Sequence, residues 1–227
     1  MKRSEINTIM RSADAFIRAR GFYLPPFAYW PPDEWAKKGP EAGEIVQHRL
    51  GWDVTDFGSG DFARRGLFLF TVRNGHPARP QSKSYAEKIM IVDDGQVTPL
   101  HFHWKKTEDI INRGGGALAI KLYTSTPDEG LDERATLRVS VDGILRTVEP
   151  GGVVTLGEGE SITLMPSLYH EFWGEGGRVL VGEVSSVNDD ATDNRFYQSV
   201  GRFPAIEEDE SPLYLLCNDY ERYYRAG

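Results

Sequence analysis

Apolar residues follow two different rhythms along this chain. Across residues 4–20, Ile6, Ile9, Met10, Ala13, Phe16 and Ile17 recur at helical spacing, with Ser4 as the N-cap and Gly21 just past the end. The spacing predicts an amphipathic helix that must dock its apolar stripe on the rest of the protein. Its polar face mixes both signs of charge, which favours packing on protein over lying on a membrane surface. Residues 22–35 place Pro25-Pro26 and Pro31-Pro32 among aromatic side chains. Such a stretch reads as neither helix nor ladder-paired strand, so it predicts an extended arm wrapping the domain.

From Gly66 onward the rhythm changes to short β-rich runs at 67–72, 88–92, 97–103, 117–124, 136–141, 144–148, 153–156, 161–164 and 178–185. Asp94-Gly95, Asp142-Gly143 and the glycine-rich stretches 114–116 and 174–177 punctuate them. Strands at this spacing predict an all-β fold, a closed antiparallel sandwich or barrel. The expected organisation is one domain over 1–227: helix and arm in 1–65, barrel core in 66–187, and a closing segment in 188–227. The aromatic tail at 213–224 fits either a helix or a strand.

Charge and composition exclude several function classes. Lys plus Arg number 26 against 34 Asp plus Glu, a net charge of −8 that repels phosphate backbones, so no nucleic-acid partner is expected. Apolar residues at 40% supply a real core rather than a disordered chain. The lone Cys217 rules out an intramolecular disulfide or a multi-thiolate metal site and points to a reducing compartment. Apolar runs are too short to span a bilayer, and the N-terminus has no continuous apolar stretch of the secretory kind. The expectation is a cytoplasmic protein with no membrane partner.

Candidate chemistry concentrates between Gly95 and Glu108. Residues two apart on a strand share a face, so His101 and His103 aim their imidazoles into one space. Alone, such a pair could equally face solvent. Glu108, after a turn at Lys105-Lys106, can add an oxygen and His170 a third imidazole, since His48 and His76 lie upstream in Gly/Pro-flanked contexts. Three neutral nitrogens and a carboxylate suit a divalent first-row metal with positions left for water or substrate.

Hairpin counting adds two more residues. If Asp94-Gly95 is a two-residue turn, Asp93 pairs with Gln96 and Lys88 with His101, which brings Lys88 into the metal cavity. If 174–177 is a four-residue loop, Trp173 pairs with Arg178 and His170 with Val181, putting Glu183 on the same face. A one-residue slip would instead leave Lys88 and Glu183 in solvent.

Gly95, His101, His103, Glu108 and Gly115 match the intervals of the first cupin motif, and Gly159, Pro166 and His170 match part of the second. More specifically, Tyr85-Ala86-Glu87-Lys88, the run from Gln96 to Trp104, Glu108-Asp109-Ile110-Ile111-Asn112-Arg113-Gly114-Gly115-Gly116, the run from Pro166 to Trp173 and the run from Glu183 to Asp190 resemble the D-lyxose isomerase family of cupins. The resemblance implies a cupin-type antiparallel β-barrel (a double-stranded β-helix, or jelly roll) that holds Mn²⁺ on His101, His103, Glu108 and His170. It also implies interconversion of aldose and ketose monosaccharides such as D-lyxose and D-xylulose, with D-mannose and D-fructose as a related pair, and together with the aromatic arm it favours a homodimer.

An aldose–ketose isomerase moves a proton between adjacent carbons through a cis-enediolate. Glu183 is the expected proton carrier, with Glu171 or Asp193 next in line, and Lys88 the expected electrostatic partner or oxygen acid. Asp193 and Arg195 are expected on distal sugar hydroxyls, and Trp104, Phe172 and Trp173 offer apolar faces that core packing could equally use. A hydride shift, Fe²⁺-dependent oxygen chemistry on the same ligands, and a non-catalytic sugar-binding cupin stay open at this level.

Overall fold

The computed structural model describes residues 1–79 and 81–225. Helix α1 (Arg3–Ala19) buries Ile6, Met10, Ala13 and Ile17, the predicted stripe. Its N-cap is Lys2 and not Ser4, so it starts two residues earlier than its sequence signal, because the chain before it is tied down. The Met1 ammonium donates to the Ala205 carbonyl and Arg3 N to the Glu207 carbonyl. Residues 22–50 correct the expectation of a non-helical arm. They form a 3₁₀ turn at Pro26–Tyr29, α2 (Pro32–Trp35), a 3₁₀ turn at Pro40–Ala42 and α3 (Gly43–Gln47). Pro26, Pro32 and Pro40 each occupy a first helical position, where the missing N–H costs nothing.

The strands are β1 (Gly51–Thr55), β2 (Leu67–Arg73), β3 (Tyr85–Val92), β4 (Thr98–Phe102), β5 (Glu108–Ser125), β6 (Leu131–Asp132), β7 (Leu137–Val141), β8 (Ile144–Val148), β9 (Val153–Leu156), β10 (Ser161–Leu164), β11 (Leu168–Ser186) and β12 (Arg195–Phe196). The tail carries only a helical turn, α4 (Tyr220–Tyr223). Every named strand pair is antiparallel, in the order β1-β2-β3-β11-β5-β10-β7-β8, with β4 on β11 and β12, and β6 and β9 on β5. The antiparallel β class read from the sequence is therefore the observed one.

The two long strands organise the barrel. β5 and β11 pair along their whole length and pass together from one layer to the other. The C-terminal half of β11 pairs with β3, and its N-terminal half with β4. The glycines at 114–116 and 174–177 are thus not hairpin turns. They face each other where the register shifts between Glu175 and Val179, and both strands bend there. Gly115 has φ +116°, and a Cβ on it would lie 2.1 Å from the Arg178 carbonyl oxygen. This corrects the hairpin counts. Lys88 pairs with Glu183 rather than with His101, and His170 pairs with His101 and Leu122 rather than with Val181.

Face parity nevertheless carries both charged residues inward. Leu67, Leu69, Met90, Val92, Val179 and Val181 fill the barrel interior, while Phe68, Phe70, Ile89, Ile91 and Leu180 pack under α1. Both faces of this layer are covered, so its strands read as continuous apolar runs. Lys88 shares parity with Met90, and Glu183 with Val181, so each enters the interior at 5% and 3% exposure. The arm aromatics Phe27, Trp30 and Trp35 pack on the chain's own tail at Leu215, Tyr220 and Tyr224, so they are not a free surface for a partner.

N- and C-terminal segments are locked by a buried ion pair. The fully buried Arg3 donates to both oxygens of Asp219 at 2.9 Å and both of Glu208 at 2.8 Å. Arg3→Ala leaves Asp219 buried without its charge partner. The expected loss is about 3 kcal/mol, a fall in melting temperature of roughly 6–12 °C, read by calorimetry. An unchanged melting temperature would contradict this role.

Candidate active site

The cavity sits between the two layers, where β4 leaves β11. His101 on β4 lies opposite His170 on β11, with ring centroids 4.1 Å apart, and His103 follows just beyond β4, 5.2 Å and 5.6 Å from the other two rings. Each Nδ1 meets a backbone carbonyl: Pro99 at 2.8 Å from His101, Asp193 at 2.7 Å from His103 and Leu168 at 3.0 Å from His170. A carbonyl only accepts, so each Nδ1 carries a proton, and in the neutral ring each Nε2 turns a bare lone pair towards the others. One ring nitrogen from each lies within 4.8 Å of the rest. Burial and the neighbouring His170 push His101 well below its usual range, and burial with the Lys106 ammonium lowers His103, so both are neutral.

Glu108 opens β5 and enters the same space. Its Oε1 lies 3.0 Å from His170 Nε2 and 3.4 Å from His103 Nε2. In the neutral tautomers that the carbonyl contacts select, these are lone pairs facing lone pairs. Glu108 Oε1 and His103 Nε2 are buried with no hydrogen-bond partner among the described residues. Such an arrangement costs free energy unless a cation lies among the donors. Neutral imidazoles fixed by carbonyls and a carboxylate are what a divalent first-row metal requires, so the donor set fits one.

A second carboxylate stands beside this set. Glu183 Oε1 accepts from Lys106 Nζ at 3.0 Å and Ser185 Oγ at 3.0 Å, and Lys88 Nζ is 3.2 Å away. Lys106 also reaches Glu108 Oε2 at 2.6 Å, and Lys88 donates to Asn188 Oδ1 at 2.7 Å. Burial alone would raise Glu108 and Glu183. Against that burial the Lys106 ammonium leads the lowering of Glu108, and the ammoniums of Lys106 and Lys88 lead that of Glu183, so both carboxyls sit below their usual range and are ionised. Lys106 is correspondingly raised, since its two carboxylates overcome its own burial.

The cavity gathers His101, His103, His170, Glu108, Lys88 and Glu183. Phe172 also lines it. It does not gather Asp193 and Arg195, expected on sugar hydroxyls, or Trp104 and Trp173, expected to offer apolar faces. Trp104 is 40% exposed and its indole N–H donates to Glu129. Arg195 is held by Glu129 Oε2 at 2.8 Å. Asp193 turns its carboxylate to the backbone N–H groups of Lys105 and Lys106 and its carbonyl to His103, so it scaffolds the histidine instead of facing the cavity. The Trp173 indole pairs with Glu175.

Sequence reasoning missed Lys106, Asn188, Asp190, Arg202 and Thr98, all lining the cavity. Lys106 lies in the connector between β4 and β5, where strand parity has no meaning. Thr98 is out of phase with His101 on a regular strand, and both face inward only because the register shifts between His170 and Phe172. Asn188, Asp190 and Arg202 come from irregular chain after β11, where nothing in the local pattern signals direction.

The family sequence model described as D-lyxose isomerase matches residues 1–220. The chain is 50% identical to a D-lyxose/D-mannose isomerase of Serratia proteamaculans, covering 98% of this chain and 99% of that one. It is 48% identical to a D-lyxose/D-mannose isomerase of Escherichia coli O157:H7, covering 98% of this chain and 100% of that one. Among solved structures it resembles the L-ribose isomerase of Cellulomonas parahominis, with a TM-score of 0.61 at 17% identity over 91% of this chain and 98% of that one.

Proposed function

The chain belongs to the D-lyxose isomerase family, and from that premise we propose that it is a divalent-metal-dependent aldose–ketose isomerase, interconverting D-lyxose with D-xylulose and D-mannose with D-fructose. The observation that carries the reading is the convergence of three imidazole Nε2 atoms, each with its Nδ1 on a backbone carbonyl, and one ionised carboxylate beside a second, separately held carboxylate. His101, His103, His170 and Glu108 are the proposed ligands, and their N₃O set favours Mn²⁺ or a similar first-row ion. A divalent cation there would polarise the sugar's carbonyl and neighbouring hydroxyl oxygens and, because Lys88 and Lys106 already offset Glu108 and Glu183, leave the inner cavity positive towards an enediolate.

Glu183 is the proposed base. Its carboxylate takes the proton from C2 of the open-chain aldose and returns it to C1, while the hydroxyl proton passes from O2 to O1, so the product is the ketose with no net redox change. Held low by two ammoniums, Glu183 is a weak base. The cavity must therefore acidify the carbon rather than strengthen the base. Lys88 and Lys106 contribute by keeping positive charge and N–H donors beside the oxygens that gain negative charge.

The test is anaerobic incubation of the Mn²⁺-loaded protein with a panel of aldoses, reading ketose formation. Turnover without oxygen is expected, and an absolute need for oxygen would replace this reading with oxidative chemistry. Adding Mn²⁺ to chelator-stripped protein is expected to stabilise it by about 2.7 kcal/mol at 100 times the Kd. The reading includes a homodimer, expected as twice the 25.5 kDa chain mass by light scattering, and a cytoplasmic location, supported by the single cysteine. Among the described residues no helix is long and apolar enough to cross a membrane.

A further inference from the structure

The cavity contains more unpaired polar atoms than the metal-type donors explain. Thr98 Oγ1 and Arg202 Nη1 are buried with no hydrogen-bond partner among the described residues, and both side chains line the cavity. Thr98 is 2% exposed, its strand neighbour is Phe172, and the adjoining cavity wall is apolar at Leu67, Leu69 and Met90. A lone hydroxyl among such neighbours is costly unless something supplies its partner.

Arg202 is held differently. Its Nη2 donates to Asp53 Oδ2 at 2.6 Å and Asp190 Oδ2 at 2.7 Å, and its guanidinium lies 4.6 Å over the Phe203 ring. Those contacts immobilise the side chain and leave Nη1 unused. Neither Thr98 nor Arg202 hydrogen-bonds to the three histidines, Glu108, Lys88, Lys106 or Glu183. Both atoms are therefore spare for the part of a ligand that does not react. Sugar hydroxyls both donate and accept, so they can satisfy the threonine oxygen and the guanidinium N–H alike.

We propose that Thr98 Oγ1 and Arg202 Nη1 form the subsite that binds the sugar hydroxyls remote from the carbonyl carbon, and that this pair sets which aldoses are turned over. The inference rests on the isomerase reading of the same cavity. Asp190, fixed by Arg202, stands ready to accept from a further hydroxyl. The subsite gives a role to the polar chain after β11, which brings Asn188, Asp190 and Arg202 to the cavity lining.

Two variants separate this role from a structural one. Thr98→Val is nearly isosteric and removes a hydroxyl that bonds to nothing in the protein, so a merely structural Thr98 predicts unchanged KM and equal or higher melting temperature. Arg202→Lys keeps the cation beside Asp53 and Asp190 but removes Nη1. With metal content and kcat near normal, KM for the best aldose is expected to rise about 3–10-fold in Thr98→Val and about 10–100-fold in Arg202→Lys. Affinity for an unreactive pentitol, measured by calorimetry, should fall in step.

If the wild type turns over aldoses while both variants keep its KM and pentitol affinity, the subsite is overturned and the isomerase reading stands. If the wild type binds the pentitol, loses it on either substitution and isomerises no aldose, the subsite stands and the isomerase reading falls. A wild type that neither turns over aldoses nor binds the pentitol overturns both.

Discussion

His103→Ala is expected to abolish stoichiometric metal binding and to cut isomerase activity at least about 100-fold, since loss even of groups that only orient a ligand costs 10–100-fold in metal affinity. The starting value is about one divalent ion per chain, read by elemental analysis after gel filtration. His103 Nε2 is buried, bare and 3.4 Å from Glu108 Oε1, and its Nδ1–H is fixed by the Asp193 carbonyl. Truncation deletes that donor and frees the Asp193 carbonyl, yet the carboxylate of Asp193 still holds the Lys105 and Lys106 amides, so the connector should keep its shape. The variant should therefore melt much like chelator-treated wild type and gain little stability from added Mn²⁺. Full metal content in the variant would remove His103 from the ligand set and leave the lone-pair contacts around Glu108 without their proposed cause.

The β class and the family were legible because they are written in local patterns: alternation on short runs, and the long Glu108 to Gly116 string that few other sequences would carry. The inward direction of Lys88 and Glu183 was legible too, although the pairing that led to it was not the real one. Side-chain parity has period two on any strand, so an error in which strand is the neighbour can leave the buried face unchanged. Long-range pairing was less accessible. The glycines at 114–116 and 174–177 look like turns in isolation. Only their mutual alignment on β5 and β11 makes them paired bends.

Trp104, Asp193 and Arg195 were expected in the cavity because they lie near it in sequence. The structure gives them closer partners in Glu129 and in the backbone of the connector. Lys106 was hidden for the converse reason. A lysine in a polar connector reads as solvated until two carboxylates from different strands close on it.

Glu183→Gln is expected to keep metal content and fold while kcat falls on the order of 100-fold or more, the usual size of a general acid–base contribution at one carbon centre. The amide preserves the shape of the carboxylate and can still accept from Lys106 Nζ and Ser185 Oγ through its carbonyl oxygen, but it cannot take up the proton. The loss should therefore appear in kcat rather than in KM. Turnover in deuterated water separates this role from a hydride shift. A proton carried on Glu183 can exchange with solvent between leaving C2 of the aldose and arriving at C1 of the ketose, so deuterium is expected at those carbons in the wild-type reaction. In Glu183→Gln the rate of incorporation should drop in proportion to the residual turnover, because one group controls both. If the variant keeps full turnover, the base lies elsewhere. Product free of solvent deuterium after many wild-type turnovers would assign hydrogen transfer to a direct carbon-to-carbon route. Glu183, still ionised between its two lysines, would then act on the sugar hydroxyls by charge and hydrogen bonding alone.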